Sequence, residues 1–519
     1  MSDQTGTQAR RGRGGERRSR DRRGGVLSRQ MPWRELTNPY RPMEILSADE
    51  LESIHLASLE ILERIGIVVQ SERARVLCRA AGCEVMPDGV RVRFPREVVM
   101  AAIAHAPSRF RMTARAGHRD VTIGGNSVVF TPVSSAPNCS DIVGGRRPGT
   151  TADFRDLVKL AQGFNVFHML AGYPVEPIDI PVPVRHMQAV RMMIELSDKI
   201  PRIYAHSVER VRDVLELVRI SHGVSREEFA SAHRCITVIN TNSPLQLDTP
   251  MVEGIVEMAE CNQPVVVTPF TLAGAMAPVT LAGAIAQQNA EALSALAIAQ
   301  FARRGAPVVY GAFTTAVNMR TGAPTFGTPE YAKAALVSGQ LARRYRLPYR
   351  SSGIATGNAP DAQSACESMM STWSAVTGGV NILHHAAGWL EGGLTASFEK
   401  LVIDVDALQM FSSFLQPERV DAETLALDTI EEVGPGGHFF AAAHTIARYE
   451  TAFFEPLLWD WRNYETWRQD GALDAAQRAH RVAREAIDAH ESPPLDQARA
   501  EEMDAFIARR TAEGGAPVN

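Results

Sequence analysis

The sequence predicts an α/β fold: a (β/α)8 or TIM barrel with a small N-terminal helical and hairpin domain and a helical C-terminal extension. Three observations lead there. Short apolar runs ending in small or polar residues recur eight times between Val128 and His385, each followed by a dozen or more residues of helical pattern. Their starts lie 30 to 43 residues apart, enough for a strand, two loops and a crossover helix. No G-x-G-x-x-G turn follows the first run, as the competing open doubly wound sheet would require.

The expected strands are Val128–Val133, Val166–Tyr173, Arg202–His206, Cys235–Thr241, Val265–Thr268, Val308–Gly311, Tyr349–Ser352 and Val380–His385. They lack strict polar/apolar alternation, which suits strands covered on both faces. Punctuation sets the helices. Thr249-Pro250 opens one with Thr as N-cap, and Thr328-Pro329 opens another that runs to about Arg346. The helix Thr280–Arg304 stops at Gly305, and the one from Pro360 stops at Gly378-Gly379. A last helix, Thr395–Leu415, is halted by Pro417, which places the barrel at 128–416.

Ahead of the barrel, residues 31–127 form the small domain. Ser47-x-x-Glu50 is a capping box opening a helix to about Ile65. Glu72–Ala81 is a second helix, and Cys83–Met86 and Val90–Phe94 flank the hairpin-type turn Pro87-Asp88-Gly89. Residues 417–519 are the helical extension. Its aromatic run (His438-Phe-Phe, Phe453-Phe454, Trp459, Trp461, Tyr464, Trp467) is expected to pack on the barrel.

Composition narrows the partners. The chain has 519 residues, 45% hydrophobic and 22% charged, which excludes a wholly disordered, collagenous or fibrous protein. A net charge of −5 disfavours nucleic acid. Six cysteines without a CxxC fit a reducing cytoplasm. The charge-free stretch Cys261–Ala290 holds Pro264, Pro269 and Pro278, so it reads as strand, loop and helix start rather than a membrane span. The N-terminus has no apolar secretory core. Residues 1–30 carry nine Arg, no Lys and three acidic residues, the pattern of a disordered tail, or of a true start at Met31 or Met43. The functional alternatives are an RNA- or membrane-touching arm or an organelle address.

In such barrels the site lies at the C-terminal ends of the strands. That places Tyr173, His206, Asn240, Asn242, Phe270, Phe313, Arg350, His384 and His385 at the mouth, with Trp389 and Glu391 in the last loop. Aromatics with few acids suit a permanently charged ligand such as a quaternary ammonium. Each ring face contributes on the order of 0.5–2 kcal/mol, and an Arg or His nearby holds a carboxylate at the ligand's other end. Any one aromatic reads more readily as packing; the set carries the argument. Arg350, a charge inside an apolar strand, either pairs with Glu367 or Glu391 or faces the ligand. Only one of the adjacent His384 and His385 can face inward. With Cys366 and His206 as conceivable partners they have no zinc spacing, so no metal is expected. No nucleophile elbow, P-loop or H-E-x-x-H is present. The small-residue loop Thr268–Val279 lets backbone approach a large ligand, or packs as a buried turn.

Five phrases, "FTLAGAMAPVTLAGAIAQQNAE" (270–291), "TGAPTFGTPEYAKA" (321–334), "LPYRSSG" (347–353), "HHAAGWLEGGLTASFEK" (384–400) and "EVGPGGHFFAAAHT" (432–445), together resemble the trimethylamine methyltransferase family, which includes glycine betaine methyltransferases. The resemblance runs from about Trp33 to the C-terminal region. It implies a (β/α)8 barrel that moves a methyl group from a methylated amine to Co(I) of a separate corrinoid protein. No pyrrolysine interrupts the chain, so it resembles the non-pyrrolysine branch, whose substrates are quaternary amines of betaine type. A quaternary nitrogen leaves as a neutral tertiary amine, so no covalent catalyst is expected and the chain's task is alignment. The resemblance and the mouth position make His384, His385, Trp389, Arg350, Tyr173, Phe270, Phe313 and Glu391 the expected substrate contacts, with Gly436, Gly437 and His438 facing the partner. The expected partners are the amine and a cognate corrinoid (cobalamin) protein, with no tightly bound cofactor, no nucleic acid and no membrane; a homo-oligomer is left open. The alternatives are trimethylamine as substrate, a non-catalytic quaternary-amine-binding barrel, and a metal-dependent hydrolase.

Overall fold

The β-branched runs predicted as strands are buried on both faces, and seven of them pair in parallel. The computed structural model, which describes residues 25–517, assigns them as β1 (Ser127–Phe130), β2 (Arg202–Ile203), β3 (Ile236–Ile239), β4 (Val265–Val267), β5 (Val308–Gly311), β6 (Tyr349–Ser352) and β7 (Ile382–His384). Their order is β1-β7-β6-β5-β4-β3-β2. Leu36–Thr37 adds an antiparallel eighth strand beside β1, so the central element is a curled eight-stranded sheet in a mixed α/β fold.

The segment Val166–Tyr173, expected as a regular strand, is not one. His168 N donates to Phe130 O, Leu170 N donates to Ile200 O, and Met169 makes a single bridge to Ile200. The next rung is lost to a side chain: Phe130 N donates to His168 Nδ1 at 3.1 Å. His168 Nε2 in turn lies 3.0 Å from Arg34 O, so the strap leading into Leu36–Thr37 occupies part of the edge.

Eight helices cover this sheet: α1 (Thr151–Gly163), α2 (Val182–Leu196), α3 (Val208–His222), α4 (Thr249–Glu260), α5 (Leu281–Ala302), α6 (Pro329–Tyr345), α7 (Ala362–Thr377) and α8 (Phe398–Phe414). Thr328 caps α6 as expected. The cap of α4 is Asp248, one residue earlier than predicted; its carboxylate accepts from Met251 N at 2.8 Å and sits favourably at the positive end of the helix dipole. α8 starts at Phe398 rather than Thr395, because Thr395–Ser397 is a strand paired with Asn138–Ser140.

Inside the sheet one side chain in two points inward. Val129, Ile236, Val238, Val266, Val309 and Ile382 form an apolar cluster separate from the outer core. Phe110, Met112 and Ile123, from the antiparallel hairpin Arg109–Met112/Val121–Gly124, join it from the N-terminal end of the strands.

The Ser47–Glu50 capping box and the 84–93 hairpin form as predicted. An unforeseen strand, Ile67–Val69, pairs with Arg91–Arg93 and with Gln246–Leu247 after β3, stitching the N-terminal region to the rim. Residues 1–24 of the expected tail lie outside the described residues; Val26 is buried, and its N–H donates to Glu485.

Most of the C-terminal aromatics depart from expectation, while Trp459 packs against the core as predicted. Between Gln416 and Pro456 only Ala442 is buried, and Phe440, Phe453, Trp461 and Tyr464 are exposed. The helices here are short and bury no apolar face, so nothing among the described residues covers these rings. The segment regains the body where Asp406 of α8 accepts from the N–H groups of Leu457, Leu458 and Trp459 at 2.8–3.1 Å.

Candidate active site

Above the apolar layer the same alternation brings polar side chains inward. Register pairs Arg202 with Ile236 and Arg350 with Ile382, so both arginines share the inward face. Thr131, Thr268, Ser352 and His384 each lie two residues beyond an inward position. Gly311 leaves room for them: a Cβ there would stand 2.0 Å from Thr268 Oγ1.

Arg350 is 1% exposed, its guanidinium lies 5.2 Å from the Phe313 ring centre, and its Nε and Nη1 have no hydrogen-bond partner. Neither predicted carboxylate reaches it. Glu367 accepts from Thr356 N and Gly357 N at 2.7 and 2.8 Å, and Glu391 pairs with Arg146 at 2.9 Å. Arg202 donates to Ser134 Oγ at 2.9 Å and Ala171 O at 2.8 Å, while its Nε is unpartnered. Loss of solvent pushes Arg350 down to about 10 and lowers Arg202 too.

The imidazoles beside them are held neutral. Desolvation pushes His384 and His385 well below the usual histidine range, and the charges of Arg350 and Arg202 push the same way. His384 Nδ1 meets Thr131 Oγ1 at 2.8 Å, and His385 Nε2 meets Ser134 Oγ at 3.2 Å. His384 Nε2, His385 Nδ1 and Trp389 Nε1 have no partner. Both histidines therefore reach the site, because His385 adopts φ +54 and leaves the strand's alternation.

Rings close over this layer. Trp389 stacks on His385 at 4.0 Å between centroids, and Phe313 stacks on Phe326 at 5.3 Å and lies 6.1 Å from Trp389. Phe270 is 5.1 Å from Phe313, on a small sheet in which Phe270–Ala273 pairs with Phe313–Val317. Tyr173 lies to one side, its ring 4.3 Å from Tyr204. With His206, Arg210, Arg185 and Ser135 these line a cavity of about 200 Å³. Arg202 spans the two regions, its guanidinium 4.6 Å from the Tyr204 ring centre. Burial holds His206 at about 4.

The predicted residues therefore divide. Arg350, His384, His385, Trp389, Phe313 and Phe270 come together, and Tyr173 borders the adjoining cavity. Glu391 ties its loop to the Asn138–Pro148 hairpin through Arg146. Gly436, Gly437 and His438 lie on the exposed 416–456 segment.

Several residues were not foreseen. Arg202 gave the same signal as Arg350, a charge opening an apolar strand. Tyr204 and Ser134 gave none beyond their place at strand ends. Glu291, fully buried on α5, accepts from Thr241 Oγ1 and Ser243 Oγ at 2.6 Å and from Leu245 N and Gln287 Nε2 at 2.9 Å. Gln287 Nε2 also donates to Met276 O at 2.9 Å, so one helical turn fixes the loops after β3 and β4. Buried Lys400 pairs with Asp404, whose other oxygen accepts from Gly388 N at 2.9 Å; this shapes the "HHAAGW" turn. Among the described residues no group of three His, Cys, Asp or Glu side chains is placed to hold a metal, and no helix is long and apolar enough to cross a membrane.

Comparison with known proteins follows the same lines. The family model described as trimethylamine methyltransferase (MTTB) matches residues 10–515. Glycine betaine methyltransferase of Desulfitobacterium hafniense is 35% identical over 472 residues, covering 91% of this chain and 98% of that protein. Trimethylamine methyltransferase MttB of Methanosarcina barkeri is 30% identical over 481 residues, 90% of this chain and 94% of that one. The solved monomethylamine methyltransferase MtmB of Methanosarcina barkeri superposes with a TM-score of 0.44 at 10% identity, covering 88% of this chain and 93% of that chain. A site rich in rings and buried cations, on a chain matched almost end to end, identifies an enzyme: the protein is a methyltransferase of methylated amines and belongs to the trimethylamine methyltransferase family.

Proposed function

We propose that the protein demethylates a zwitterionic quaternary amine of betaine type and passes the methyl group to the Co(I) corrinoid of a separate cognate protein. The observation that carries this is Arg350, a fully buried guanidinium with two unpartnered N–H donors and no carboxylate beside it. Two buried arginines make the layer cationic, which repels a bare trimethylammonium. A ligand with its own carboxylate answers that charge. The carboxylate accepts from Arg350 and Arg202 in charge-assisted bonds. The ammonium lies against the faces of Phe313, Trp389 and Tyr204. His384 and His385 stay neutral, so they donate hydrogen bonds without adding repulsion.

The corrinoid supplies the nucleophile that accepts the methyl group. This chain's residues bind the amine, orient one N–methyl bond outward and exclude water. The leaving tertiary amine is neutral, so no proton is delivered and no side chain need form a bond to substrate. We read the sheet as closing into an eight-stranded barrel through residues 166–173. The bonds to Phe130 and Ile200 on its two sides and the separate apolar cluster inside support that reading.

The test is a reconstituted assay with a Co(I) corrinoid protein and a panel of glycine betaine, proline betaine, carnitine, choline and trimethylamine. The corrinoid spectrum should change with carboxylate-bearing quaternary amines. Turnover with trimethylamine alone would overturn the reading, as would binding of betaines without any transfer.

A further inference from the structure

The segment from Gln416 to Pro456 leaves and rejoins the body on one helix. It departs at the C-terminal end of α8 and returns where Asp406 of α8 holds residues 457–459. Monomeric surfaces rarely carry such apolar density. Phe440 and Phe453 are each 87% exposed. These two rings offer on the order of 350 Å², a large part of the roughly 800 Å² each partner gives to a stable interface. The segment is also acidic: residues 417–456 hold eight carboxylates against two arginines, and Asp428, Glu431 and Glu432 lie on its helix Leu427–Val433.

A surface of matching character lies at the foot of the same helix. Trp373, Phe414 and Tyr40 are exposed and form a ring cluster with centroids 5.0–5.4 Å apart. Tyr40 also borders a cavity of about 350 Å³ lined by Arg109, Arg343 and Arg346, of which Arg343 pairs with Glu44 at 3.4 Å. This cavity sits at the N-terminal ends of the strands, beside Asn126, Tyr349 and Asn381.

We infer that the 416–456 arm docks on this aromatic and basic surface of a second copy of the chain, in a reciprocal exchange about a two-fold axis near Phe414. Apolar rings meet apolar rings, and carboxylates meet the arginines. The arm springs from beside the patch, so one two-fold operation brings each arm to the other copy's patch. A second copy fits better than the methyl-accepting protein, because the patch lies at the opposite end of the strands from the substrate layer. Gly436, Gly437 and His438 then belong to the contact between copies.

Sedimentation of the full chain tests this. The wild type should run at twice 56.6 kDa. The arm variant Phe440→Asp/Phe453→Asp and the patch variant Trp373→Asp/Phe414→Asp should each run as monomers with unchanged far-UV circular dichroism. An equimolar mixture should recover a dimer, since the arm of one finds the intact patch of the other. The milder Arg109→Glu/Arg346→Glu should weaken the dimer about tenfold at low salt, with the difference shrinking as salt is raised. A monomeric wild type, a patch variant that stays dimeric while the arm variant dissociates, or a chain that gains mass only when a corrinoid protein is added would each overturn the inference.

Discussion

Replacing Arg350 by Met should make the protein more stable and worse at binding, and the two effects have separate origins. The guanidinium is fully buried with Nε and Nη1 unpartnered, and burial pushes it down to about 10. That displacement corresponds to roughly 3 kcal/mol of unfavourable burial at neutral pH. The sign is set by the unfolded chain, which keeps the charge more easily, so the penalty is fully present at pH 7. Met fills similar volume without charge, and exchanges of this kind gain about 1–4 kcal/mol. Binding moves the other way. Two charge-assisted bonds to a carboxylate contribute roughly 1.5–3 kcal/mol each, so a betaine should bind about 10²- to 10⁴-fold more weakly. Urea unfolding and calorimetric titration with glycine betaine, without the corrinoid protein, read the two effects separately. A variant that unfolds at lower urea and binds betaine as before would show that Arg350 is a structural cation and remove the basis of the carboxylate assignment.

Three further outcomes follow from buried groups. Glu291→Gln replaces one carboxylate oxygen by an NH2, which faces either the Thr241 and Ser243 hydroxyls or the Leu245 N–H and Gln287 Nε2, and should cost roughly 2–4 kcal/mol in chemical unfolding. Burial holds His168, His206 and His222 each at about 4, so the unfolded chain takes up their protons first as pH falls. Stability should therefore fall between about pH 6.5 and 4, at up to about 4 kcal/mol per unit; a flat urea midpoint across that window refutes it. Asp406→Ala removes the acceptor of three backbone N–H groups, and hydrogen exchange at Leu457, Leu458 and Trp459 should accelerate while the strand amides stay protected.

Strand positions were legible because a two-faced buried strand must be apolar throughout, and β4, β5 and β6 fall within a residue of their predicted ends. The second strand misled because periodicity is blind to a side chain replacing a rung; nothing local in "VFHML" says that His168 Nδ1 takes the Phe130 N–H. The site followed a similar division. Arg350 announced itself as a charge among apolar neighbours, and Arg202 did so equally but was read as a strand boundary. Glu291 carried no local signal, since a carboxylate on a long helix looks solvated until the loops that donate to it are folded around it. The exposed arm failed for a converse reason. Aromatic density predicts burial, but sequence does not say in which molecule.

The Gln287–Glu291 turn has a consequence for how this rim can change. Two loops from different strands hang from one pair of neighbouring side chains, so neither can be lengthened or re-aimed alone without undoing the other's tether. Variation in ligand preference among relatives of this protein should then arise by exchanging side chains on loops of fixed length, or by replacing both loops together with the helix that anchors them.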